Sequence, residues 1–170
     1  MSANEPLIAA IGFITIVEDS NHGLFGGYLI LNPAGRPVEF HCTAPVKPNR
    51  AQQILYGPTL QPYLYGEQIA RTLIERSKIL PRIVCLDQAC AMCVRPLITV
   101  PTALVERKNF EENSTCQIPW KDQTLSFLPE FPEDKTKIEE CLQELLIEFD
   151  LLEPFGRIRE AIVEAQKAAM

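Results

Sequence analysis

Three thiols fall close together at Cys85, Cys90 and Cys93, spaced C-x4-C-x2-C. Thiolates bind zinc and iron well, and a two-residue gap lets two sulfurs from one loop reach a single metal. Cys116 is the one further thiol before the C-terminal third. A structural zinc site would therefore draw on Cys85, Cys90, Cys93 and Cys116, with His41 in reserve. The same spacing opens the plant-type iron–sulfur arrangement, but no glycine lies between the thiols to bend a loop around a cluster. Unpaired cysteine also packs as a small hydrophobe. If Cys90 and Cys93 share one helical turn, they simply occupy neighbouring core positions. A redox Cys-x-x-Cys gains little support, because Ala89 precedes the pair and no proline sits in the gap.

A second group gathers on Pro45–Arg50 and the helical residues after it. Lys47 and Arg50 precede a run containing Gln52, Gln53, Tyr56, Tyr63 and Tyr65. Tyrosine gives amphipathic contact at low entropic cost, so Lys47, Arg50, Tyr56, Tyr63 and Tyr65 suit a surface that binds a peptide or protein. The start of a helix here could equally hold a small anion. Glu39 and His41 share one strand face, so Glu39 can orient an imidazole. Adjacent His41 and Cys42 point to opposite sides. Cys42 joins Val38 and Phe40 on a face expected to pack into the core. Gly26-Gly27 lacks any phosphate-binding spacing and reads as a tight turn or bulge. Neither the metalloprotease His-Glu-x-x-His pattern nor the Gly-x-Ser-x-Gly serine pattern occurs.

These residues need elements to hold them. Residues 11–17, 26–31 and 38–43 read as three strands of an antiparallel meander, separated by the turn signals Glu18–Gly23 and Asn32–Pro37. Asn49 caps a short helix over residues 50–56, ended by Gly57-Pro58. A longer helix spans about 62–77, with Tyr65, Ile69 and Leu73 along its apolar stripe. Ile83–Leu86 reads as a strand, and Leu97–Val100 as another. Pro81, Pro96 and Pro101 bracket both, which predicts edge strands. Residues 106–123 are polar and leave a seam around 106–121, and residues 124–128 suggest a last strand. From Ile138, Cys141, Leu142, Leu145, Leu146 and Phe149 follow the helix period. Asp150 and Glu153 have capping-box spacing before a final helix to about Ala168, striped by Leu152, Phe155, Ile158 and Ile162.

The fold class is thus α+β in a single domain: an N-terminal antiparallel meander covered by helices, with a helical C-terminal third. The chain has 170 residues and a net charge of −6, with 46% hydrophobic residues, which suits a globular domain and argues against an extended nucleic-acid surface. The N-terminal segment carries an acid and no Lys or Arg, unlike a signal peptide. No apolar run reaches the roughly 20 residues of a membrane span. Six cysteines without an export signal point to free thiols in the cytoplasm. The first functional reading is a non-catalytic interaction or accessory domain, with a protein partner or a homodimer formed through the C-terminal helices. The alternative is a small intracellular enzyme whose pocket lies near His41 and the 45–65 segment.

Overall fold

The structure, a computed structural model, describes residues 9–107 and 115–169. The first eight residues, and with them the N-terminal features just read, lie outside the described residues, as does 108–114 in the middle of the expected seam.

β1 (Ile11–Asp19), β2 (Gly23–Leu31) and β3 (Pro37–Cys42) form the expected antiparallel meander. α1 (Arg50–Tyr56) is followed by a 3-10 turn at Gly57–Thr59. A helical run then comprises α2 (Leu60–Pro62), a π-helical stretch at Tyr63–Ala70 and α3 (Arg71–Arg76). β4 (Ile83–Leu86) leads through a 3-10 helix at Ala89–Leu97 to β5 (Thr102–Arg107). The hairpin of β6 (Gln117–Trp120) and β7 (Gln123–Ser126) precedes α4 (Asp134–Glu144) and α5 (Glu153–Ala169).

The described strands make one seven-stranded mixed sheet in the order β3-β2-β1-β4-β5-β7-β6. The α+β reading therefore holds, with a difference at the centre. β4 is no edge strand: it pairs in parallel with β1 on one side and β5 on the other, and all four of its residues are buried. Pro81 and Pro101 stand outside the paired residues, so they limit the strands without breaking a ladder. Leu97–Val100 is not a strand. The 3-10 helix absorbs its start, and the pairing falls to β5 instead.

Because side chains alternate along a strand, β1 feeds two cores. Ile11 and Phe13 pack with Leu29, Ile83, Cys85 and the stripe of α4 and α5. Ile14 and Ile16 pack with Tyr28, Ile30, Val84 and the helical run ending in α3. Gly26 and Gly27 lie consecutively in mid-strand on β2, not in a turn or bulge. A Cβ on Gly26 would stand 2.1 Å from Ile69 Cγ2, and one on Gly27 would stand 2.3 Å from Ile158 Cγ2. The two residues let both helical layers approach the sheet, one on each face.

The apolar stripe of α5 is spent inside the chain. Phe155, Ile158 and Ile162 are buried against the sheet, and Phe155 meets Phe13 edge-on at 5.6 Å. The homodimer expected through the C-terminal helices loses its proposed surface for this reason. α4 ends at Glu144, and Leu146, at φ +52°, points outward at 76% exposure rather than continuing the buried stripe. Along β3 the expected faces are exchanged. Val38, Phe40 and Cys42 face solvent, while Glu39 and His41 turn inward. Glu39 accepts from the backbone N–H groups of Lys78 and Ile79 at 2.9 and 3.0 Å and contacts His41 Nε2, so a polar anchor fixes the edge strand. No helix of the described residues is long and apolar enough to cross a membrane.

Candidate functional site

In open sheets with parallel strands, ligands gather at the carboxyl ends of those strands. β1 ends there in Glu18-Asp19, and the segment 46–48 is laid across the following turn. Leu24 N–H donates to Val46 O and Val46 N–H to Leu24 O, each at 2.8 Å. This bridge requires Gly23, which has φ +102° and whose Cβ would meet Val46 O at 2.4 Å. The result is a cleft of about 540 Å³ whose lining includes Glu18, Lys47, Gln53, Gln61 and Tyr65, with Asp19 at the strand end turning its carboxylate toward α5.

The two carboxylates differ in setting. Asp19 Oδ1 accepts from the backbone N–H of Asn21 at 2.7 Å and of His22 at 3.2 Å, and Oδ2 accepts from Gln166 Nε2 of α5 at 3.1 Å. The Asn21 N–H above all holds its carboxyl below the usual range, so Asp19 is a fixed anion. Glu18 is exposed and free to meet a ligand. Burial raises the Tyr65 phenol, with Cys90 and Glu18 adding to it, so Tyr65 stays neutral and can donate.

Beside β1, β4 runs out into Asp87-Gln88. Gln88 clamps the two parallel strands, its Oε1 accepting from Ile16 N–H at 2.9 Å and its Nε2 donating to Ile16 O at 2.8 Å. Asp87 pairs with Arg159 of α5 through Oδ2. Its Oδ1 and the Thr15 hydroxyl are both sealed from solvent without a hydrogen-bond partner in good geometry. Burial raises the Asp87 carboxyl, against the opposing pull of Thr15 and Arg159.

By sequence the chain matches no protein-family model and no curated protein. By structure it is similar to human ENDOV, with a TM-score of 0.57 at 13% identity, covering 100% of this chain and 92% of that one. Two structures of Ciona intestinalis Endonuclease V also match, at 15% and 16% identity, over 61% and 60% of this chain and 47% of each of those, with TM-scores of 0.40 and 0.39. Both hold DNA containing an inosine followed by a ribo-adenosine.

At these identities the likeness is one of fold. Two expectations change nonetheless. The non-catalytic interaction or accessory domain is not the reading that a likeness to human ENDOV favours, and the alternative, an enzyme with a pocket near His41 and the 45–65 segment, is the one taken up below. The expectation of no extended nucleic-acid surface is withdrawn as well, because net charge does not decide it. Low net charge excluded a surface basic throughout, not a local one.

The residues singled out by sequence are partly brought together. Lys47 and Tyr65 line the cleft. Tyr56 and Tyr63 stack beside it, ring centroids 4.3 Å apart. Arg50 is exposed at the start of α1. His41 does not line the cleft; it is held by Glu39 on β3.

The four candidate thiols are divided between the faces of the sheet. Cys85 is buried under α4 near Cys141, and Cys116 packs at the rim of that same core. Cys90 packs in the opposite core, and Cys93 lies against Gly66 of the π-helical stretch, its thiol donating to Pro62 O at 2.9 Å. Burial raises the thiols of Cys85, Cys90 and Cys93, which disfavours the thiolate form. Among the described residues no group of three or more His, Cys, Asp or Glu is placed to hold a metal ion.

Sequence reasoning took Glu18 and Asp19 for turn residues and passed over Thr15, Asp87 and Arg159. A signal for the first pair was present: acids closing a strand that is otherwise apolar. Nothing local marked Arg159, which reaches Asp87 across 72 residues of chain.

Proposed function

We propose that the protein is an enzyme that processes nucleic acid, taking one nucleotide unit into the cleft at the carboxyl end of β1. The observation that carries this reading is Glu18 sharing that cleft with Lys47, on a fold similar to that of human ENDOV. The cleft volume of about 540 Å³ lies in the range of small-ligand sites. Lys47 is a point charge suited to a phosphate oxygen. Tyr65 supplies a neutral donor for a base or sugar edge, and Glu18 the accessible carboxylate for proton transfer. A cytoplasmic site of action belongs to the same reading, in keeping with cysteines that form no disulfide among the described residues.

The test is binding and turnover of labelled single- and double-stranded DNA and RNA, with magnesium or manganese added. Lys47→Ala is expected to weaken binding about tenfold, the equivalent of one lost phosphate contact. Glu18→Gln is expected to retain binding and lose turnover by about a hundredfold or more. Folded protein that neither binds nor converts any of these nucleic acids would overturn the reading.

A further inference from the structure

α1 buries none of its residues, yet it is fixed at both ends. Asn49 and Gln52 form a reciprocal capping box: Asn49 Oδ1 accepts from Gln52 N–H at 2.8 Å, and Gln52 Oε1 from Asn49 N–H at 3.0 Å. At the other end Gly57, at φ +52°, donates its N–H to Gln53 O, and Thr59 Oγ1 donates to Tyr56 O at 2.6 Å. The Tyr56–Tyr63 stack then ties the helix to the π-helical stretch. A helix of this length is marginal unless packing supports it. Here caps and one ring stack take the place of packing, and the helix presents two large aliphatic side chains to solvent beside Arg50 and Gln53. Ile54 is 63% exposed and Leu55 83%.

The surroundings select an occupant. In a chain with 22 Asp and Glu, none occurs between Glu39 and Glu67, while Lys47 and Arg50 fall inside that span. The same helix contributes Gln53 to the cleft, and Gly57 and Pro58 continue its rim, so a polymer leaving the cleft on this side must cross α1. This stretch of chain carries two cations and no acid, although Glu18 faces the same cleft, and with its two projecting aliphatic side chains it fits a polyanion that also carries apolar faces.

We infer that α1 is a docking platform for a nucleic-acid strand outside the cleft, with Lys47 and Arg50 on phosphates and Ile54 and Leu55 on sugar and base faces. This rests on the nucleic-acid reading of the cleft and extends it from one nucleotide to the flanking strand. Aliphatic contact with bases and sugars carries no charge, so it survives salt, whereas the phosphate contacts weaken as salt rises.

The experiment compares a mononucleotide with a single-stranded oligonucleotide long enough to run past the cleft, each titrated against wild type, Ile54→Ala/Leu55→Ala and Arg50→Ala. Because Ile54 and Leu55 are not buried, the double variant should keep the wild-type circular dichroism and melting temperature. It is expected to bind the oligonucleotide about tenfold more weakly and the mononucleotide unchanged. Arg50→Ala should lower the salt slope for the oligonucleotide by about one. Equal loss on both probes, or no loss on the oligonucleotide, overturns the platform and leaves the cleft reading intact. Failure of wild type to bind either probe ends both. Poly-glutamate displacing the oligonucleotide, with binding of its own lost in the double variant, would make the surface a site for acidic peptides. A shift from dimer to monomer on sedimentation of the double variant would make it a contact between copies. Either outcome also overturns the platform.

Discussion

Arg95 and Asp134 meet through two parallel hydrogen bonds, 2.7 Å from Nε and 3.1 Å from Nη2, with side-chain exposures of 5% and 0%. Arg95 also donates to Ile98 O at 2.8 Å and lies over the Phe131 ring at 4.0 Å. The pair joins the 3-10 connection between β4 and β5 to the first turn of α4. Neither partner has water to fall back on. Asp134→Ala is therefore expected to cost about 3–5 kcal/mol, because it leaves a buried guanidinium unpaired. Urea unfolding checks this, and a loss under about 1 kcal/mol would mean the cation relaxes to solvent.

Gly66 should be as demanding as a turn glycine despite its helical setting. A Cβ there would lie 2.1 Å from Cys93 Sγ and 3.1 Å from Val94 N. Gly66→Ala is expected to destabilise by about 1–3 kcal/mol, the usual cost of overpacking. Placing it in a Cys93→Ala background should recover part of the loss, since one of the two clashes goes. Thermal melts of the two single variants and the double variant measure the coupling.

Glu39 makes the hold on the edge strand depend on pH. Burial alone would push its carboxyl up, but His41 and the Lys78 and Ile79 N–H groups outweigh it and leave it below its ordinary value. A carboxyl depressed by folding contributes stability above its unfolded pKa and loses it as pH falls through the folded one. Amide exchange across Val38–Cys42 is therefore expected to accelerate on acidification below about pH 4, relative to the core of β1. Glu39→Gln should show fast exchange at neutral pH and little further change.

Asp87 should behave with the opposite sign. Its carboxyl is raised by burial, so folding favours the protonated form and ionisation costs stability as pH climbs from about 4. Asp87→Asn is expected to flatten that decline, and Arg159→Ala to steepen it by removing the compensating cation. Stability curves from acid to neutral pH distinguish the cases. Asp87→Asn falling in parallel with wild type would show that another group controls the slope.

How far the sequence could be read depends on which forces are local. The β-branched run of β1, the Asn49 cap and the period of α5 are set by neighbours in the chain, and those elements stand where expected; α4 has the expected period but stops at Glu144, short of Leu145, Leu146 and Phe149. The parallel pairing of β4 with β1 depends on a crossover that runs from Asp19 all the way to Ile83, for which no local pattern exists. Alternation in β3 was legible, but its orientation was not: the polar anchor of Glu39 on Lys78 and Ile79, a contact across about 40 residues, decided which face turned inward. The site divides in the same way. Lys47 and Tyr65 were visible because their segment is unusual in composition. Glu18 and Asp19 were hidden because acids at the end of a strand also make good turn residues.

The paired glycines of β2 have a mechanical consequence. Ile69 and Leu73 bear on the strand at Gly26, and Ile158 and Ile162 bear on it at the next residue from the other side. The strand is pinched at one point between two convex surfaces, with no side-chain padding to absorb displacement. The helical run that carries Tyr65 and the helix whose Arg159 and Gln166 hold Asp87 and Asp19 thus bear on one strand from opposite faces. Their spacing is set by backbone alone at that point, so any side chain added there wedges both layers apart at once.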